Sequence, residues 1–101
     1  MRLCYFEELT PYWLNQARRK MVILPQGIYT ITYKRRGRKR GEAVGKMEGS
    51  LQKGFSVNGR PVVRAVSLGP VGEITKERLL KSAQRLEGKL QGLQIEQKAP
   101  R

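Results

Sequence analysis

The chain has 101 residues, enough for one hydrophobic core, and 21 Lys and Arg against 8 acidic residues give it a net charge of +13. Every acid is Glu, and the sequence contains no Asp and no His. This excludes a His general base, a Ser-His-Asp or Cys-His relay and a His-ligated metal, so composition points away from catalysis and towards an anionic partner.

Residues 2–9 carry Leu3, Tyr5, Phe6 and Leu9 in a pattern that suits either a strand or a helical turn. Glu7 and Glu8 interrupt this stretch, which does not read as a signal peptide. Thr10-Pro11 has the form of an N-cap followed by a first helical residue. Trp13, Leu14, Ala17 and Met21 then recur at helical spacing, which predicts a short helix over about residues 11–20. Residues 1–20 are therefore expected as a helical appendage to a sheet-plus-helix domain over 21–93, followed by a flexible tail over 94–101. The lone Cys4 forms no intrachain disulfide and reads as a buried small hydrophobe. The longest apolar run, Met21–Leu24, is too short to span a bilayer.

Pro25-Gln26-Gly27 signals a turn, and Ile28–Tyr33 is rich in β-branched and aromatic residues, as a strand requires. That strand runs into Lys34-Arg35-Arg36-Gly37-Arg38-Lys39-Arg40, where six of seven residues are cationic. Such a run repels itself and belongs in solvent. With the glycines that follow, residues 34–49 are expected as a basic loop or long hairpin arm.

Asn58-Gly59 suits a type I′ turn between two strands. A two-residue loop pairs Val57 with Arg60, Phe55 with Val62, Lys53 with Arg64 and Leu51 with Val66. Lys53 then opposes Arg64, a like-charge pair that needs an anion nearby or a slip in register. Pro61 cannot donate to a ladder, so its strand is expected at an edge. Beyond Gly69–Gly72, Leu79, Ala83, Leu86, Leu90 and Leu93 form an apolar stripe that predicts a helix over 74–93, with Glu77 and Lys81 as an i, i+4 pair. The stripe is expected to cover the sheet; its alternative use is a homodimer through this helix. The fold class is thus α+β: a short N-terminal helix, three to four antiparallel strands with the Asn-Gly hairpin, and a C-terminal amphipathic helix on the sheet.

Residues Lys34, Arg35, Arg36, Arg38, Lys39 and Arg40 are the leading candidates for contact with a phosphate backbone. Lys53, Arg60 and Arg64 would extend the positive surface from the hairpin, and Arg18, Arg19 and Lys20 from the N-terminal helix. Tyr33 adjoins the basic run and is the candidate stacking residue, although Trp13, Tyr29, Tyr33 and Phe55 all read first as core. Arg36-Gly37-Arg38 resembles the Arg-Gly-Arg core of AT-hooks over three residues, with Arg35 and Lys39 where that motif has prolines. The resemblance implies an arm lying in a minor groove. The expected function is a non-enzymatic, intracellular nucleic-acid-binding protein, DNA ahead of RNA, needing no cofactor, metal or membrane. The alternative is an adaptor or inhibitor docking on an acidic protein surface, such as the nucleic-acid channel of a nuclease. A nucleoprotein complex, in the cytoplasm or at a nucleoid or nucleus, suits either reading.

Overall fold

The computed structural model describes residues 3–36 and 46–98. Strand β1 (Leu3–Tyr5) runs parallel to β2 (Lys20–Leu24). From β2, an antiparallel meander continues through β3 (Gly27–Arg36), β4 (Lys46–Val57) and β5 (Arg60–Pro70), so the sheet has five strands in the order β1-β2-β3-β4-β5. Helix α2 (Lys76–Lys98) packs on one face and makes the fold α+β. The expectation of three or four antiparallel strands is corrected on both counts. Three residues of β1 are too few to show a period, and β1 gains its place by pairing with β2.

The N-terminal helix is a single turn. Thr10 caps it as expected, its hydroxyl accepting from the Trp13 amide at 3.1 Å, but α1 (Pro11–Leu14) stops after four residues. Asn15 is the reason. Its side-chain amide donates to the carbonyls of Pro11 (2.8 Å) and Ile74 (3.0 Å), and its oxygen accepts from the amides of Gly72 (2.7 Å) and Ile74 (3.0 Å). These bonds tie the end of α1 to the loop before α2, and the chain leaves as β2 from Lys20. A 3-10 turn (Phe6–Glu8) completes the connection from β1. Leu9 and Leu14 are buried in the common core, so residues expected as an appendage are integral to the domain.

The β4–β5 register matches the expectation pair for pair: Val57 with Arg60, Phe55 with Val62, Lys53 with Arg64, Leu51 with Val66. Asn58 (φ 53°) and Gly59 (φ 77°) both adopt the left-handed region that a type I′ turn demands. A bulge at Gly49/Ser50 shifts the ladder further along. Pro61 lies on β5, an edge strand, as expected.

Val22, Leu24, Tyr29, Ile31, Leu51, Val66 and Leu68 point to the face beneath α2, where Leu79, Ala83, Leu86 and Leu90 meet them. Each large apolar side chain sealed there contributes about 1.5–3 kcal/mol. The leucine stripe is thus occupied within the chain as far as Leu90. Helix α2 also runs on to Lys98, through most of the expected tail. The expected Glu77–Lys81 pair does not close to ion-pair distance. The opposite sheet face is uncovered, with Leu3, Tyr5, Ile28 and Val63 at least half exposed. Among the described residues no helix is long and apolar enough to cross a membrane.

Candidate nucleic-acid interface

The β3–β4 ladder continues to Arg36 opposite Lys46, whereas β2 leaves β3 at Ile31 and the β5 ladder ends at Pro70 opposite Glu48. Val71 still donates its amide to the Met47 carbonyl at 2.9 Å, so among the described residues Arg36 and Lys46 are the pair that extends as a two-stranded arm past both neighbouring strands. Of the two expectations for residues 34–49, a basic loop or a long hairpin arm, the loop is corrected for residues 34–36 and 46–49, which are strand and pair with each other. Arg38, Lys39 and Arg40 lie outside the described residues. Lys34 and Arg35 are exposed, and strand alternation sends them to opposite faces of the arm. Lys34 stands opposite Glu48 in register. Glu48 accepts a hydrogen bond from the Ser67 hydroxyl at 3.1 Å.

Arg18 and Arg19 are exposed in the segment entering β2, at the same end of the sheet as the arm. Arg60 and Arg64 are also exposed, but they lie by the Asn58-Gly59 turn at the far end of β4. At about 3.3 Å per residue, Arg60, opposite Val57, lies about 30 Å along the strand from Glu48, and Arg64, opposite Lys53, about 17 Å. The structure thus sets Arg18 and Arg19 at the arm's end of the sheet and Arg60 at the other.

Two lysines of the candidate set point inward. Lys20 is only 4% exposed. Its ammonium donates to the carbonyls of Trp13 and, at 2.9 Å, Gln16, and sits 4.4 Å from the Trp13 ring centroid and 5.2 Å from that of Tyr33. Burial, with repulsion from Arg18, pushes its pKa down to about 8. Lys53 donates to Glu87 at 2.8 Å and to the Gln26 carbonyl at 3.3 Å. The same Glu87 oxygen accepts from the buried Tyr29 hydroxyl at 2.7 Å. Burial raises the Glu87 carboxyl, but the hydrogen bonds from Lys53 and Tyr29 and the Lys53 charge outweigh it, so its pKa falls below the ordinary value. Glu87 is the anion that the Lys53–Arg64 pair called for, and the register holds. Lys20 and Lys53 are committed inside the protein and leave the exposed basic set.

Tyr33 is likewise committed to the fold. Its hydroxyl donates to the Leu14 carbonyl at 2.6 Å, its ring packs against the core, and burial pushes its ionisation up to about 12. Trp13 and Phe55 pack against the core as well, and Tyr29 lies within it.

Four cations on α2 are absent from the binding residues expected from the sequence: Arg78, Lys81, which figures there only as the partner of Glu77, Arg85 and Lys89. Their spacing of three, four and four residues was the available signal. Each of Arg78, Arg85 and Lys89 immediately precedes a leucine of the buried stripe, so the same period that lines up Leu79, Leu86 and Leu90 lines up these charges beside β5.

The described fold and this charge pattern define a small α+β domain with a basic two-stranded arm. The chain matches no protein-family model, no curated protein and no solved structure.

Proposed function

We propose that this protein is a non-enzymatic nucleic-acid-binding protein that grips the phosphate backbone through its β3–β4 arm, with DNA favoured over RNA. The observation that carries the reading is the arm itself. Lys34, Arg35 and Arg36 are consecutive strand residues at the end of a hairpin that outreaches its sheet, and the sequence continues into Arg38, Lys39 and Arg40. A paired strand holds cations at fixed intervals, which suits a regular polyanion; arginine adds bidentate geometry towards phosphate oxygens. Arg18 and Arg19 lie in the segment entering β2, at the same end of the sheet. The preference for DNA rests on the arginine-rich arm and on aromatic side chains that serve the core instead of stacking on unpaired bases. The partner is DNA or RNA, alone or in a nucleoprotein complex, in the cytoplasm or at a nucleoid or nucleus.

An electrophoretic shift titration against duplex and single-stranded DNA and RNA, at low and moderate salt, tests this directly. Binding that weakens steeply with salt supports it. Absence of binding to every probe overturns it, and a protein partner recovered from nuclease-treated extract would replace it with docking on an acidic protein surface.

A further inference from the structure

The geometry points to a second phosphate-binding surface, the seam between α2 and the edge strand β5, which holds the backbone of the same nucleic acid while the arm engages it. This inference rests on the reading of the arm above. At 1.5 Å per residue, Arg78 to Lys89 forms a track of about 16 Å along the helix. Beside it, Ser67, Leu68 and Gly69 of β5 face Arg78, Lys81 and Arg85 across an open cleft of about 380 Å³. Among the described residues no acid lines this cleft, and the nearest carboxylate contact is that of Glu48 with the Ser67 hydroxyl at 3.1 Å.

Part of the seam is set in place before any ligand arrives. The Arg78 guanidinium donates to the Leu68 carbonyl at 3.4 Å and lies where the side chain of residue 69 would begin. A Cβ on Gly69 would fall 2.5 Å from the Arg78 guanidinium, and the backbone there has φ +90°. Only glycine leaves that space at that conformation. The bond to Leu68 uses one of five guanidinium N–H donors, so others stay available to a phosphate oxygen. At the opposite end Lys89 donates to the Ala65 carbonyl at 3.3 Å. Lys81 and Arg85, between them, make no hydrogen bond or ion pair among the described residues.

Their arrangement is unfavourable without a counter-charge. Arg78–Lys81, Lys81–Arg85 and Arg85–Lys89 are like-charge neighbours at three- or four-residue spacing, and each such pair opposes helix formation. The acids of α2 do not relieve them all. Glu87 is engaged with Lys53 and Tyr29 beneath the helix, and Glu77 lies with Lys81 in a neighbouring shallow pocket. A row of regularly spaced phosphates relieves all three repulsions together. The seam starts near Pro70, close to the arm, and runs towards Arg64. One nucleic-acid backbone lying along it covers the distance of about 17 Å between the Pro70 end of β5 and Arg64.

The test is the salt dependence of duplex DNA binding by the full chain, with Arg78, Lys81 and Arg85 replaced together by Gln. Each phosphate contact contributes about 0.9 to the slope of log K against log salt. The triple variant should therefore flatten that slope by about 2 to 3 while its circular dichroism spectrum stays that of the wild type. A wild-type slope overturns the seam and leaves the arm reading standing. If the triple variant fails to fold, Lys81→Gln alone, at an exposed side chain without a bond, should flatten the slope by about 0.9, and an unchanged slope overturns the inference. If the wild type binds no nucleic acid, the arm reading and the seam fall together. Amide shifts at residues 67–69 and 78–85 should accompany titration with duplex. Shifts produced there by polyglutamate and not by duplex overturn the seam in favour of an acidic protein.

Discussion

Lys20 and Lys53 carry the same charge as the cations of the arm and the seam, yet they do opposite work. Lys20 is wrapped by two carbonyls and two aromatic rings, and Lys53 is neutralised by Glu87 beneath α2. Lys34, Arg35, Lys81 and Arg85 project into solvent. Interior cations stabilise elements against one another, whereas exterior ones raise the electrostatic potential that draws in an anion. A net charge of +13 therefore overstates the binding surface, and the two sets should separate cleanly by experiment.

The largest expected effect is on the exterior set. Replacing Arg35, Arg36, Arg38 and Arg40 with Gln should flatten the salt slope of duplex binding by about 3 to 4 and abolish a shift at moderate salt. Thermal unfolding of that variant should match the wild type, and a fall in its Tm would show the arm to be structural.

The next effect is on the interior set. Glu87→Ala removes the shared acceptor of Lys53 and Tyr29 and strands a buried hydroxyl. It should cost about 2 kcal/mol in urea unfolding, with duplex affinity little changed. If binding collapses while stability holds, the division drawn here is wrong.

Lys20 gives a subtler sign. Its ammonium has a pKa of about 8 in the folded protein against 10.5 when unfolded. Between those values the unfolded chain binds the extra proton, so stability should rise with pH from about 8. Above about 10 the unfolded tyrosines ionise while burial holds Tyr29 and Tyr33 protonated, which reverses the trend. Lys20→Met should erase the rise and keep the reversal, as read from denaturant midpoints at successive pH values.

The smallest effect belongs to neither set. Gly59→Ala, in open space at positive φ, should cost about 1–2 kcal/mol and leave binding untouched.

Local rules wrote part of this fold plainly into the sequence. Asn58-Gly59 fixes a turn type, the turn fixes register, and the expected cross-strand pairs from Val57–Arg60 to Leu51–Val66 follow. The leucine stripe is legible for the same reason, since helical period and burial coincide. The misread helix over 11–20 has a non-local cause. Asn15 ends α1 through bonds to residues 72 and 74, and a reading of Trp13, Leu14, Ala17 and Met21 cannot see partners 57 and 59 residues away. Strand β1 was obscured likewise, because its partner lies across the whole N-terminal turn.

The candidate site divides along the same line. The cations of the arm are contiguous and visible as composition. Lys20 and Lys53 look identical to them until tertiary contacts supply Trp13 and Glu87. The α2 cations have a period, but the adjacent leucines share it and claim attention first.

The edge position of β5 has a consequence for how the protein behaves when concentrated. An unpaired strand offers alternate backbone groups to any passing chain, and extended stacking of such edges leads to aggregates. Along β5 the carbonyls of Val63, Ala65 and Ser67 accept from Arg64 (3.1 Å), Lys89 (3.3 Å) and Ser82 (3.3 Å). Pro61, in the same alternation, has no N–H to offer. The strand thus meets a would-be neighbour with its acceptors occupied and a fringe of positive charge, and this guards the protein against fibrous self-association.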